Sequence, residues 1–491
     1  MFLNDIYSRI LSVREVQRQT IASFLSQISV TFAGFLSTMY FAHTVGSGVL
    51  GAYFLFLAYY GIINTVSDGG FGGAVSKRIS EGEQQNEYFS AFFVVRFFFL
   101  AIVILFLVIS RDYFIDFDKA NLFNWLLLAL IVSLIHGSVI NGIAGTGKMG
   151  IYAAGAFINN ISRIIIQVVG VFFGYGVAGL IGGFVAGLLI AVIMELRFFD
   201  LRFVKYKWSH VKSLLSFSFW LFLTSSGVIL YSYVDSVMIG YYLSNSEVGV
   251  YRVVFQFTSI AIITTTAIRA TLWPKISRWD KIGEMELIEK SISKAFTYSL
   301  IIAMPVFAGG IVLGEKLLYF CYGSEFESGY LTLVILLFVQ IINVSQFFYT
   351  MYLSALDRQI DSFKVTAVAT IANVALNAIL IPFIGIEGAA VATLVTMGLN
   401  AILAKKLLSK IITIRIERDS LLNILKAASI MTLFVAGYRV ILPLSNVWLT
   451  LIPVVVGGSM YGILLLKFDK KICDELKEIF TQTSVPWPSW L

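Results

Sequence analysis

Of the chain's 491 residues, 58% are hydrophobic and only 13% are charged, and the mean hydropathy is +0.85. Soluble domains carry about a quarter charged residues, so this composition excludes a soluble globular fold and marks an integral membrane protein. The formal net charge of +7 would suit a nucleic-acid binder, but its placement along the chain assigns it to membrane topology, and no nucleic-acid partner is expected.

The first nineteen residues, "MFLNDIYSRILSVREVQRQ", mix charge with apolar side chains and read as an amphipathic helix on the membrane surface, with Arg9, Arg14 and Arg18 on the cytoplasmic side. Beyond them, a span needs about 20 apolar residues to cross the hydrocarbon core. That criterion predicts fourteen spans: 20–43, 49–76, 88–110, 121–145, 151–173, 176–198, 213–242, 247–273, 292–314, 329–354, 363–384, 387–408, 421–441 and 446–466. With a cytoplasmic N-terminus, segments 1–19, 77–87, 146–150, 199–212, 274–291, 355–362, 409–420 and 467–491 face the cytoplasm. With their flanks they hold about 28 of the 36 Lys and Arg residues. The opposite loops hold Arg111, Lys119 and Lys316, so both termini are expected to be cytoplasmic.

The chain repeats itself. "GVLGAY" at 48–53 matches "SEVGVY" at 246–251, and at the same offset Lys77 falls on Lys275; "GVAG" at 176–179 matches "GIEG" at 385–388, and Lys148 matches Arg358. The fold predicted is an all-α polytopic membrane protein: two six-helix lobes in pseudo-twofold arrangement plus two C-terminal helices. Residues 1–198 form the N-lobe, 199–212 a basic cytoplasmic linker ("DLRFVKYKWSH"), 213–408 the C-lobe, and 409–491 the two extra spans and tail. Such a parallel repeat places a substrate path at the lobe interface.

Five Arg lie inside spans: Arg96, Arg163, Arg252, Arg269 and Arg439. At roughly 2.5–3.5 kcal/mol per Arg at a helix centre, they need a wet cavity, a partner or an escape to headgroups. Arg96 and Arg439 lie near enough to span ends to snorkel. The others fall in polar stripes at helical spacing. Span 5 carries Asn159, Asn160, Arg163 and Gln167. Span 8 carries Arg252, Gln256, Ser259 and Thr266 with Arg269 at the edge of the sector. Span 10 carries Gln340, Asn343, Gln346 and Thr350. Span 11 carries Thr366, Thr370, Asn373 and Asn377, and span 2 carries Asn64, Ser67 and Asp68. Such stripes serve either as interhelical hydrogen bonds or as the lining of a water-filled cavity. Gly179, Gly183 and Gly187 make a small-residue ladder that reads as close packing. Pro305 and Pro382 are positioned to kink spans 9 and 11.

The basic residues outnumber Asp68 and Asp235, while Glu195 stands beside Arg197 at a helix end. A basic, amide-lined cavity suits an anion rich in hydroxyls, because Arg forks onto phosphate oxygens and Asn and Gln match sugar hydroxyls. A lipid-linked oligosaccharide diphosphate has both features and a tail that stays among the membrane lipids. Asp235 and Arg252 flank the span 7–8 turn at similar depth and could face each other, which makes Asp235 a gate or an orienting partner. Cys321 and Cys473 are expected on opposite sides of the membrane without an internal disulfide. His43, His136 and His210 show no metal-ligand spacing, and the glycine-rich "DGGFGG" lacks the lysine of a phosphate loop, so no metal or cofactor is expected.

"DSVMIGYYLSNSEVGVYRVVFQF" at 235–257 resembles the span 7–8 signature of Wzx-type polysaccharide flippases, which belong to the multidrug/oligosaccharidyl-lipid/polysaccharide exporter superfamily. "SDGGFGGAVSKRIS" at 67–80 and "GTGKMGIYA" at 145–153 resemble the same family, and the fourteen-span layout extends the likeness over nearly the whole chain. The resemblance implies a transporter, not an enzyme, that moves polyprenyl- or dolichyl-linked glycans across the plasma membrane of a prokaryote by alternating access. By position it implies that Arg252 and Arg269 hold the pyrophosphate, with Arg163 fitting less well. From the polar stripes themselves Asn159, Gln256, Asn373 and Asn377 are candidate substrate contacts, and Asp235 and Asp68 are candidate gating or ion-coupling residues. A coupling ion, H+ or Na+, is compatible with it but not specified, and a monomer suffices. Other readings left open are a peptidoglycan-precursor flippase, a multidrug antiporter, and a membrane glycosyltransferase or polymerase built on Asp112, Asp116 and Asp118.

Overall fold

The computed structural model describes residues 15–114, 122–414 and 417–482. Among the described residues fifteen α-helices follow one another: α1 (Glu15–Asp68), α2 (Phe71–Ser80), α3 (Gln85–Ile109), α4 (Leu122–Gly145), α5 (Met149–Phe172), α6 (Gly176–Leu196), α7 (Trp208–Tyr242), α8 (Asn245–Thr258), α9 (Ile263–Lys281), α10 (Met285–Tyr322), α11 (Tyr330–Ala355), α12 (Gln359–Leu408), α13 (Arg418–Ile441), α14 (Val447–Phe468) and α15 (Lys470–Gln482). Eleven helical stretches among the described residues are long and apolar enough to cross a membrane. Two of these, α1 and α12, bend into two arms, at Gly46 (φ 76°) and at Ile384–Gly385 (Gly385 φ 67°). Counting both arms and adding α7 recovers the fourteen expected segments. Residues 1–14 of the expected surface helix, with Arg9 and Arg14, lie outside the described residues.

The outward faces fit a lipid solvent. Ile102, Leu105, Phe106 and Ile109 of α3 stand exposed, as do Phe383 and Val440, an arrangement water would not tolerate over so large an area. The chain is a multi-pass membrane protein.

It divides into two compact units, Met1–Val237 and Met238–Leu491. In the first, the core gathers Phe71, Val75 and Ile79 of α2 against Phe89 and Phe92 of α3 and Leu214 of α7. The segment read as a basic linker is part of this packing. The Arg202 backbone N–H donates to Asn86 Oδ1 (2.9 Å), that of Val204 donates to Ser90 Oγ (2.9 Å), and the Phe203 ring meets Phe89 and Phe93. In the second unit Ile276, Ile288, Phe296, Phe348, Tyr352 and Leu408 form a core shared by α9 to α12. The two added helices belong to it: α13 packs on α10 and α14. There the Arg439 guanidinium pairs with Glu315 (2.8 Å) and donates to the Val312 carbonyl.

The repeat is written in the backbone as well as in the letters. Matched turns place the chain in the left-handed region at Gly82 and Gly283 (φ 85° and 75°), at Gly147 and Asp357 (78° and 57°), and at Gly176 and Gly385 (50° and 67°). Such angles favour glycine, so their recurrence in register marks two copies of one helix order. The prolines behave differently from expectation. Pro305 lies inside an unbroken α10, while Pro382 stands two residues before the α12 bend and so marks the turn between spans 11 and 12, not a kink within one.

Candidate functional site

In the first unit the buried Arg96 is paired with Asp68. Asp68 ends α1, and Gly69 and Gly70 follow with φ of 56° and 79°. A Cβ on Gly70 would lie 2.4 Å from the Ser218 carbonyl oxygen, so the turn packs directly against the α7 backbone. Asp68 Oδ2 accepts the Gly72 N–H (3.2 Å), and its Oδ1 lies 3.4 Å from Arg96 Nε of α3. The expectation that Arg96 snorkels to headgroups is therefore wrong. Its side chain is 5% exposed, turned inward onto Gly137 of α4, where a Cβ would meet Nη1 at 2.2 Å. An inward carboxylate and a close-approach glycine outcompete the trip to the interface. Ser133 of α4 donates to Asn64 Oδ1 (2.9 Å), which brings the span 2 stripe into the same network.

On α5 the stripe divides by function. Gln167 is buried and its Nε2 donates to the Tyr53 hydroxyl (2.8 Å) and the Leu180 carbonyl (2.7 Å), an interhelical clasp. Asn159 and Arg163 pack beside Gly187 of α6 yet remain half-buried, and Arg163 Nη2 donates to Asn160 Oδ1 (3.0 Å). Asp235, on α7, is buried.

The second unit holds the remaining candidates. Ser244 caps α8, accepting the Glu247 N–H (3.3 Å), as its extended backbone and position three residues earlier require. The helix predicted to run through span 8 is broken. Ser259–Ile262 is a 3-10 turn between α8 and α9. Four residues at about 120° each instead of 100° rotate the downstream face by about 80°. Arg252 and Gln256 thus belong to one helix and Arg269 to the next, not to one continuous sector. Gln340 of α11 holds the break: its Nε2 donates to Thr258 Oγ1 (3.2 Å), and Asn343 donates to Gln340 Oε1 (2.9 Å).

Arg252 is half-buried over the Phe255 ring (5.3 Å). Arg269 is exposed, with its guanidinium 5.3 Å from the Trp273 ring and 5.0 Å from that of Phe347 on α11. Among the described residues no carboxylate pairs with it. Aromatic faces steady a guanidinium plane without consuming its N–H edge, and Trp273 and Phe347 hold the Arg269 guanidinium in that way. Trp273 and Phe347 were not singled out from sequence, although Trp273 at i+4 from Arg269 was a usable signal.

Asn373 and Asn377 have a different setting. They are 1% and 0% exposed. Asn373 Nδ2 lies 3.5 Å from both Thr393 and Thr396 Oγ1, and Asn377 Nδ2 donates to Asn373 Oδ1 (3.1 Å). They form a polar ladder between the two arms of α12. Of the acidic loop, Asp112 falls in a short 3-10 turn at Arg111–Phe114, while Asp116 and Asp118 lie outside the described residues. Among the described residues no group of His, Cys, Asp and Glu is arranged to hold a metal.

A family model described as "Polysaccharide biosynthesis protein" matches residues 48–330, more than half of the chain. The protein belongs to that family. Over 458 residues, 92% of this chain and 96% of the relative, it is 27% identical to the probable low-salt glycan biosynthesis flippase Agl15 of Haloferax volcanii. It is also 22% identical to that organism's probable flippase AglR, over 96% of this chain and 99% of the relative. Among solved structures, lipid II flippase MurJ in an inward closed conformation superposes with a TM-score of 0.77 at 15% identity, covering 92% of this chain and all of that one. An inward-facing multidrug resistance MATE transporter gives 0.60 at 14% identity, over 76% of this chain and 92% of the other. At these identities the structural likeness shows the fold alone.

Proposed function

We propose that this protein is a flippase that carries a polyprenyl- or dolichyl-(pyro)phosphate-linked oligosaccharide across the cytoplasmic membrane by alternating access, for the synthesis of a cell-surface polysaccharide or glycan. The observation that carries the reading is the near full-length similarity to two relatives named as flippases, one of them for glycan biosynthesis. Guanidinium groups embedded in the spans supply the matching chemistry. Arg252 and Arg269 hold the (pyro)phosphate, Arg163 assists, and Asn159 and Gln256 meet sugar hydroxyls. Asn373 and Asn377, packed in their ladder, join the substrate contacts when the arms of α12 separate. Asp235 acts in gating, and Asp68 does so through its pair with Arg96. Both termini face the cytoplasm.

The reading is tested with purified protein in proteoliposomes. Arg252→Ala and Arg269→Ala should each abolish flipping of a fluorescent lipid-linked oligosaccharide while insertion and elution profile stay as in the unmodified protein. Unchanged rates in both variants would remove the arginines from the site.

A further inference from the structure

The chain between α6 and α7 runs without helix from Arg197 to Lys207, yet it is held in place against α3. Besides the two backbone bonds to Asn86 and Ser90, the Lys207 N–H donates to His210 Nδ1 (3.0 Å), and His210 Nε2 meets Gln84 Oε1 at 2.6 Å. At the other end Lys148 of α5 donates to the Phe198 carbonyl (2.7 Å) and pairs with Asp200. Asn86 and Ser90 lie one turn apart, so the segment follows α3 into its span, and the Phe203 ring reaches Phe93 (5.1 Å). Phe93 is about 12 Å along the helix from Gln85 at about 1.5 Å per residue. Helix α3 has 25 residues, about 37 Å against about 30 Å of hydrocarbon. Even with the whole excess of about 7 Å on this side, Phe93 lies within the core. One turn further Phe97 and Phe98 are 50% and 60% exposed, as a lipid-facing surface is. The segment therefore lies at the rim of the hydrocarbon.

What it presents there is basic and aromatic. Arg202, Lys205 and Lys207 are exposed, and so are the rings of Phe203 (64%) and Trp208 (73%). Asp200 is the only carboxylate from Arg197 to Lys212, and Lys148 engages it. Among the described residues no carboxylate pairs with Arg202, Lys205 or Lys207. Trp settles at headgroup depth, and each Lys or Arg near the surface is drawn to anionic headgroups. A loose basic loop loses part of that attraction to the entropy of ordering it, whereas here the bonds to α3 have already fixed the backbone. The chemistry that fits is a lipid phosphate, its oxygens against the three cations and its acyl chains alongside Phe203 and the exposed face of α3.

We propose that residues 202–208 form an ordered binding strip for anionic phospholipid headgroups, which ties the first unit to the leaflet it faces. The strip is independent of which molecule the protein moves. It is tested with the full chain in vesicles of phosphatidylcholine and phosphatidylglycerol, one or the other lipid carrying bromine on its acyl chains. Bromine quenches only nearby indole rings, and the Trp208 share is the signal lost in Trp208→Phe. At equal mole fraction, phosphatidylglycerol should be preferred beside Trp208 by about fivefold, the effect of roughly one fully engaged cation. The preference should shrink as salt is raised. The triple variant Arg202→Gln, Lys205→Gln, Lys207→Gln changes exposed side chains, leaves the backbone bonds to Asn86 and Ser90, and should bring the ratio to about one. Inorganic pyrophosphate at matched ionic strength should leave the ratio unchanged. Trp208 unquenched by either lipid, quenched equally by both, or showing an undiminished preference in the triple variant would each overturn the proposal. Displacement of the lipid by pyrophosphate would also overturn it, marking a site for a soluble anion. The comparison of the two lipids needs only Trp208→Phe, at an exposed position, and so stands even if the triple variant fails to fold.

Discussion

Arg96→Met probes the inward pairing of span-embedded charge. The substitution keeps an unbranched apolar stem against Phe92 and Gly137 but removes the guanidinium that lies 3.4 Å from Asp68 Oδ1. Taking one partner from a buried pair costs about 3–5 kcal/mol, because the other charge stays behind uncompensated. Asp68 is 24% exposed and still accepts the Gly72 N–H, which puts Arg96→Met at the low end, about 3 kcal/mol. Asp68→Asn leaves the more deeply buried guanidinium alone and should cost nearer 5 kcal/mol, about the top of that range. The double variant leaves no charge, and the amide oxygen introduced by Asp68→Asn can still accept from Gly72. It should therefore be less destabilised than the sum of the two by at least about 2 kcal/mol. Denaturant titrations of the four purified proteins in mixed micelles, followed by tryptophan fluorescence, would measure the cycle. Additive effects, or a neutral Arg96→Met, would show that Arg96 does reach the headgroups.

The close seam of α5 and α6 predicts that Gly179→Leu, which drives a side chain into the Gly170 backbone, destabilises by more than the usual ~1–3 kcal/mol of overpacking; gel filtration before and after heating would show early loss of the monodisperse peak. Gln340→Leu removes the donor to Thr258 at the α8–α9 break. It should cost only about 0.6 kcal/mol, as intramembrane hydrogen bonds typically do, but raise hydrogen exchange around Ser259–Ile262. Asp469 caps α15, accepting the Ile472 N–H (3.1 Å) and Asn423 Nδ2 (3.3 Å). Burial pushes its carboxyl up, yet hydrogen bonds from Ser420, Ile472, Asn423 and Lys471 outweigh this and hold it below the usual carboxylate range. The stability it adds is thus complete above the unfolded value of about 3.9 and is lost as the pH falls through the lower folded value. Asp469→Ala should cost about 1 kcal/mol at neutral pH, read as a lowered melting temperature, and the difference from the unmodified protein should vanish in strong acid.

Much of the fold is legible in the sequence because hydrocarbon demands long apolar helices and punishes stray charge. The all-helical fold and the placing of its spans follow from those two constraints. Burial direction within a span is another matter. Lipid-facing and protein-facing positions are equally apolar, so the stripe through Gln167 and that through Asn373 looked alike whether they faced a cavity or a neighbour; both turn out to make interhelical hydrogen bonds. The break at Ser259 carries neither glycine nor proline, and it is held by Gln340, distant in sequence. A partnership across helices, Arg96 with Asp68, leaves no mark at helical spacing. Arg269 is the counter-example: its Trp273 partner sits one turn away on the same helix and was there to be read.

The central claim is that this protein moves a lipid-linked glycan, and transport by the purified chain tests it most directly. Proteoliposomes containing a fluorescent polyprenyl diphosphate oligosaccharide, quenched by a membrane-impermeant reductant, report how much of it changes leaflet. The account predicts that the protein makes the whole pool accessible to the quencher, with the glycan recovered intact. A pool that stays half-protected, as in protein-free vesicles, while the same vesicles take up cationic dyes would contradict it.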